Sequence, residues 1–196
     1  LVESRVAVKR NPQGRLTMRI RMFYLADASA VQRIYREAFS GPPWYQSFTE
    51  ESVSGVWEEQ SSKTGFCCLV AEEGHSVVGA TWFDMPNDES LAAERGRELV
   101  LFARAQSVSA PIVWIRETVV LPEFQSQGIG STLKRAAMAN IRQTFNEVIL
   151  LTRMRDDNTR IVRANEKLGF QRTGIQVPSK SSPGVMHEYW YAHLHR

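Results

Sequence analysis

The sequence predicts an α/β protein with a central mixed sheet of about seven strands flanked by helices. Short apolar runs of strand length alternate with segments of helical periodicity. The run Ile112 to Val120 is apolar on both sides apart from Arg116-Glu117, as a strand covered on two faces must be. That run then passes through Leu121-Pro122-Glu123-Phe124-Gln125-Ser126-Gln127 into Gly128-Ile129-Gly130 and a helix.

In chain order, residues 1–15 are polar, carry Pro12 and Gly14, and read as an arm; residues 16–196 read as a single domain. Leu16 to Met22 alternates as a first strand. Val31, Ile34, Tyr35, Ala38 and Phe39 recur at helical spacing behind Asp27 as N-cap, and Ser40-Gly41-Pro42-Pro43-Trp44 ends that helix. Thr49 opens a second helix to about Gln60, with Glu50 and Glu51 well placed in its first turn. Phe66 to Ala71 and Val77 to Phe83 form a hairpin through residues 72–76. Residues 87–110 read as an inserted helical segment anchored by Leu91, Leu99, Val100 and Phe102.

After the glycines, Ile129, Leu133, Ala137 and Ile141 share one helical stripe. Glu147 to Thr152 is a buried strand, Asn158 to Leu168 a helix with Gly169 beyond it, and Phe170 to Val177 and Met186 to His193 the final strands. Pro178 to Gly184 joins those two.

At 196 residues, 43% hydrophobic and 23% charged, the chain is long enough for a sizeable core and ordinary for a soluble globular protein. The net charge is +3 and the basic residues are scattered, which argues against a nucleic-acid partner and suits an anionic ligand. Runs such as Val148-Ile149-Leu150-Leu151 fall far short of a membrane span, and no signal peptide is recognisable. Cys67 and Cys68 are adjacent, so on a strand they point to opposite faces and do not bridge. With no disulfide framework and no metal-ligand spacing, the chain reads as cytoplasmic and metal-free.

The strand–turn–glycine–helix segment has the build of a pyrophosphate cradle. Glycines let the backbone close on an anion, and the first N–H groups of a helix lack an internal partner. The segment lacks the third glycine of the dinucleotide fingerprint and the Lys-Ser/Thr of a P-loop. It resembles the acyl-CoA-binding motif of the GNAT superfamily of N-acetyltransferases, Gln/Arg-x-x-Gly-x-Gly/Ala, filled here by Gln125, Gly128 and Gly130. The stretch from Asn158 through Asn165-Glu166-Lys167-Leu168-Gly169-Phe170 resembles a second motif of that family. Val70-Ala71-Glu72 followed by Val77-Val78-Gly79 is a looser third. The element order is the family's, so the resemblance covers nearly the whole chain.

The resemblance implies acetyl-CoA as cosubstrate. Its pyrophosphate would rest on Gln125, Ser126, Gln127, Gly128, Ile129, Gly130 and Ser131, and its pantetheine arm would pair with the backbone of Val119 and Val120. Asn158 would contact the same cosubstrate; its other reading, a helix N-cap, is compatible with that. Lys134, Arg135, Arg160 and Arg163 read as phosphate contacts or as solvated helix faces.

The catalytic residues depart from the family pattern. Many members carry a tyrosine acid where this chain has Asn165, and an amide cannot deliver a proton. Tyr189 or Tyr191, on the last strand with His187, would replace it, or else both pack in the sheet. Glu117 would accept the amine proton through water, and Arg116 would hold an anionic group of the substrate; the other reading of this dyad is a structural ion pair. Arg153 occupies a second base position and cannot act as a base. The candidate catalytic pair is therefore Glu117 and Tyr189.

The expected activity is transfer of acetyl from acetyl-CoA to a primary amine by direct attack, with Cys67 and Cys68 uninvolved. Neutralising a lysine-like amine at pH 7 costs about 4.6 kcal/mol, against about 1 kcal/mol for an α-amino group. A chain without an evident base thus suits the α-amine of a peptide or amino acid. Trp44, Tyr45, Trp82 and Phe83 line an acceptor groove or belong to the core, and Asp84, Asp88 and Glu89 attract a cationic acceptor or are exposed loop acids. The rivals are a non-catalytic acyl-CoA-binding or regulatory domain and an aminoglycoside- or polyamine-type small-amine acetyltransferase. The Tyr189-Trp190-Tyr191 strand is compatible with a homodimer.

Overall fold

The computed structural model describes residues 18–179 and 182–196. The predicted arm, Leu16 and Thr17 of the predicted first strand, and Lys180 and Ser181 of the last predicted loop lie outside the described residues. The described strands form one seven-stranded sheet in the order β1-β2-β3-β4-β5-β7-β6, as the mixed α/β reading requires. The chain packs as two compact parts, one built from residues up to 82 with 117–138, the other from residues 83–116 with 139–196. No described helix is long and apolar enough to cross a membrane.

In the first part, β1 (Met18–Met22) pairs antiparallel with β2 (Cys67–Glu73), Ile20 opposite Ala71. Helix α1 (Ala28–Ser40) buries Val31, Ile34 and Phe39, and α2 (Glu50–Ser61) buries Val53 and Trp57. Thr49 caps α2 as predicted, its hydroxyl accepting from the Ser52 N–H at 3.1 Å. Asp27 does not cap α1 with its side chain. Its carboxylate instead accepts from Arg21 at 2.7 and 2.9 Å and from the Tyr24 N–H at 2.8 Å. A charge-assisted bidentate pair outcompetes a single backbone donor.

Trp82, of the first part, is core. Trp82 is 1% exposed, meets Trp57 edge-on at 5.5 Å and Tyr35 at 6.1 Å, and donates its ring N–H to Gln60 at 2.5 Å. Trp44 packs on Phe39 at 5.0 Å, whereas Tyr45 stands 75% exposed at positive φ.

In the second part, residues 87–110 are not one helix but two. Helix α3 (Asp88–Arg95) and helix α4 (Arg97–Gln106) meet at Gly96, whose φ of 98° no helix continues through. Their Leu91, Leu99, Val100 and Ala103 pack with Ile112 and Trp114 of β4 (Ile112–Val120), Ile149 and Leu151 of β5 (Glu147–Arg155) and Tyr189 of β7 (Met186–His195). The parallel ladder joins Ile112–Trp114 to Ile149–Leu151. At the next step the Ile115 carbonyl accepts from the Thr152 hydroxyl at 3.1 Å. β5 runs past Thr152 to Arg155 because β7 pairs with it along its whole length. Beyond α6 (Thr159–Glu166), β6 (Gln171–Pro178) pairs with β7 through a bulge at Arg172–Gln176, where the Thr173 hydroxyl donates to the Tyr189 carbonyl at 2.8 Å. The remaining strand, β3 (Ser76–Asp84), and the helix after the glycines, α5 (Ile129–Thr144), bear on the site.

Candidate functional site

The turn after β4 is built by its own polar groups. Val119 and Val120 are buried, and the Leu121 N–H donates to Val78 of β3 at 2.9 Å. Pro122–Phe124 forms a short 3-10 turn. The Gln125 N–H donates back to the Pro122 carbonyl at 3.2 Å, and its side-chain amide donates to the Val120 carbonyl at 3.1 Å. Gln125 therefore braces the turn.

Ser126 and Gly128 take left-handed conformations, φ 62° and 82°. The first helical bond of α5 runs from the Thr132 N–H to the Gly128 carbonyl at 3.0 Å, so the N–H groups of Ile129, Gly130 and Ser131 precede it. A Cβ at Gly130 would sit 3.6 Å from Thr118 Cγ2 and 3.9 Å from Val120 Cγ2, while one at Gly128 would meet nothing within 4 Å. The mouth of the turn is open and positively polarised by the helix behind it.

Glu117 lies in the same part of the chain. Its backbone carbonyl accepts from the Thr81 hydroxyl at 2.9 Å. Its carboxylate acts on two neighbours. The Lys134 ammonium is buried in α5, which pulls its pKa down to about 8, and the Glu117 charge opposes that fall. The Tyr35 phenol is pushed above its ordinary value by burial and then by the same charge. By sequence Lys134 is a phosphate contact or a solvated residue, and the structure buries it instead. Its burial comes from the packing of α5, where it sits one turn behind Gly130, whose missing Cβ faces Thr118 and Val120 of β4.

The other predicted residues lie in the second part. Asn158 is the N-cap of α6, its side-chain oxygen accepting from the Ile161 N–H at 3.3 Å. Asn165 is 1% exposed, and its amide donates to the Ile161 carbonyl at 3.0 Å and to the Met154 sulfur at 2.7 Å. Tyr189 is buried and meets Trp114 edge-on at 5.9 Å. Arg116 is a structural ion pair, bound to Asp84 at 2.6 and 2.9 Å and to Glu94. Asp84 is thus enclosed rather than offered to a cationic acceptor, and Asp88 is held by Arg104 at 2.5 Å. Sequence spacing also gave no hint that Glu147, His193 and His195 converge, with ligating atoms within 4.8 Å of one another, because they lie on two strands.

Solved structures similar to this chain share its fold. They include yncA of Salmonella typhimurium, solved with its cofactor acetyl-CoA (TM-score 0.64, 20% identity, 91% of this chain and 95% of that one). They also include a ribosomal-protein-alanine N-acetyltransferase of Brucella melitensis (TM-score 0.66, 20% identity, 89% and 99%) and Ard1 of Thermoplasma volcanium (TM-score 0.63, 18% identity, 91% and 99%). Among curated proteins no sequence match is found. At such identities the likeness to the solved structures is one of fold. The acetyltransferase (GNAT) family matches residues 28–170, well over half of the sequence, and the chain belongs to that family.

Proposed function

We propose that the protein transfers an acetyl group from acetyl-CoA to the α-amine of an amino acid or peptide. The observation that carries this reading is the turn from Val119 to Ser131, whose left-handed Gly128 opens directly onto the first N–H groups of α5. Such a terminus suits a pyrophosphate. The similar yncA structure, solved with acetyl-CoA, supports the choice of cosubstrate.

In the reaction, the neutral amine nitrogen attacks the thioester carbonyl carbon. The C–N bond forms, the C–S bond breaks, and sulfur leaves as a thiolate. Glu117 accepts the surplus amine proton through water. Tyr189 is the candidate donor to the thiolate, whose ordinary pKa of about 8.5 also lets it leave unprotonated. The engaged amide of Asn165 favours one rival, a binding-only domain, because that position of α6 supplies no proton.

The test is free-thiol release from acetyl-CoA against dipeptides, amino acids, polyamines and aminoglycosides, with Gly128→Glu as control. Turnover with α-amines that the control abolishes is the expected result. Acetyl-CoA binding without turnover by any of these amines would overturn the small α-amine reading in favour of a protein acceptor or of binding alone.

A further inference from the structure

One face of the second part carries more positive charge than its acids answer. Trp114 is opposite Leu151 in the ladder, and Arg153, two residues on, is opposite Tyr189, so these side chains share a face with Arg116. Arg95, the last residue of α3, lays its guanidinium over the Trp114 ring, 4.8 Å from its centre. Trp114 in turn meets Tyr189.

Arg116 takes both Asp84 and Glu94, and Arg95 Nη2 pairs with Glu94 at 3.0 Å. Arg95 Nε is buried with no hydrogen-bond partner among the described residues. Arg153 stands exposed and close enough that its charge, after burial, holds the Arg95 pKa down. A buried donor without an acceptor, beside a second guanidinium that has no ion pair among the described residues, suits an anion rather than another cation.

We propose that Arg95 and Arg153 form the subsite for the carboxylate of the acceptor, on a floor of Trp114 and Tyr189, and that the acceptor is an α-amino acid with a free carboxylate. This rests on the acetyl-transfer reading and narrows it. A carboxylate there accepts from Arg95 Nε and from the Arg153 guanidinium, and the aromatic floor excludes water beneath the pair.

The experiment compares α-amino acids with their carboxamides as acceptors for wild type, Arg95→Gln, Arg95→Lys and Arg153→Gln. The amide has the less basic amine, so chemistry alone favours it. A wild-type preference for the free acid therefore reports the subsite. The expected preference is about 10- to 100-fold in kcat/KM. Arg95→Gln and Arg153→Gln raise KM for the acid about tenfold, leave kcat within about a factor of two, and cost the amide, whose oxygen is a weaker neutral acceptor, much less. Arg95→Lys keeps the charge and loses Nε, so it recovers part of the preference. Arg153 is exposed and its variant carries the test should Arg95→Gln fail to fold.

Equal use of acid and amide by wild type, or an equal loss of both in the variants, overturns the subsite while leaving acetyl transfer standing. Should no amine be acetylated, calorimetric binding of free amino acids decides it. Binding by wild type that Arg153→Gln loses supports the subsite, and no binding overturns it.

Discussion

Arg116 and Asp84 are locked face to face by two hydrogen bonds, Nε to Oδ1 at 2.9 Å and Nη2 to Oδ2 at 2.6 Å, with side chains 4% and 2% exposed. A pair this deep is held by complementarity, and its parts are not separable. Arg116→Met leaves Asp84 charged and enclosed, which costs about 3–5 kcal/mol. Adding Asp84→Asn removes the enclosed charge and restores more than half of the loss. Urea denaturation of the single and double variants measures both. A single variant within 1 kcal/mol of wild type would show that the pair is solvated in solution, ~0–1 kcal/mol being the range of exposed pairs.

Lys134 makes stability depend on alkaline pH. Its pKa is about 8 in the folded protein, below the 10.5 of an ordinary lysine, because burial disfavours the ammonium more than Glu117 favours it. Between those values the unfolded chain holds a proton that the folded chain has released, so stability rises with pH through this window. The rise amounts to about 3 kcal/mol when complete. Unfolding midpoints from pH 7.5 to 10.5 should climb in wild type relative to Lys134→Met, in which this contribution is gone. Parallel curves for the two proteins would mean that Glu117 holds the charge in place.

The two glycines of the turn serve different ends, and alanine separates them. At Gly128 there is space for a Cβ but φ is 82°, so Gly128→Ala is strained by about 1–2 kcal/mol and relaxes by reshaping the turn. At Gly130 the conformation is helical and the nearest atom is 3.6 Å away, an ordinary contact. Acetyl-CoA titrations should find Gly128→Ala weakened about tenfold or more and Gly130→Ala within about threefold of wild type. The reverse order would mean that ligand approaches Gly130 more closely than the turn mouth.

These contrasts mark what the sequence could carry. The strands, the glycine turn and the Thr49 cap were legible because each is a local pattern, a period or a spacing that the backbone alone enforces. Asp27 looked like a cap by the same rule, but Arg21 on β1 took its carboxylate, and that competition is tertiary. Lys134 read as a polar helix residue, since only the packing of α5 makes it buried. Arg95 gave no signal at all. Its place over Trp114 depends on the break at Gly96, which turns α3 into a separate helix from α4.

Gly79 of β3 offers the sharpest test of how tightly the strand before the turn is held. A Cβ there would lie 3.0 Å from the Val119 carbonyl oxygen, 3.2 Å from Leu133 Cδ1 and 3.3 Å from Val120 Cγ2. Leu133 can shift by a few tenths of an ångström, but the Val119 oxygen belongs to the backbone of β4 and moves only with the strand. Gly79→Ala therefore costs about 1–3 kcal/mol from overpacking, against about 0.5–1 kcal/mol gained by stiffening the unfolded chain. The net is a loss, and displacement of Val119 and Val120 should weaken acetyl-CoA binding with it. Gly55 supplies the opposite case: it lies inside α2 with nothing within 4 Å of its missing Cβ, so Gly55→Ala should stabilise by about 1 kcal/mol and leave binding alone. Thermal unfolding and acetyl-CoA titration of the two variants should give shifts of opposite sign in stability and a binding defect in Gly79→Ala alone; a stabilised Gly79→Ala would mean that β4 yields at Val119 without loss.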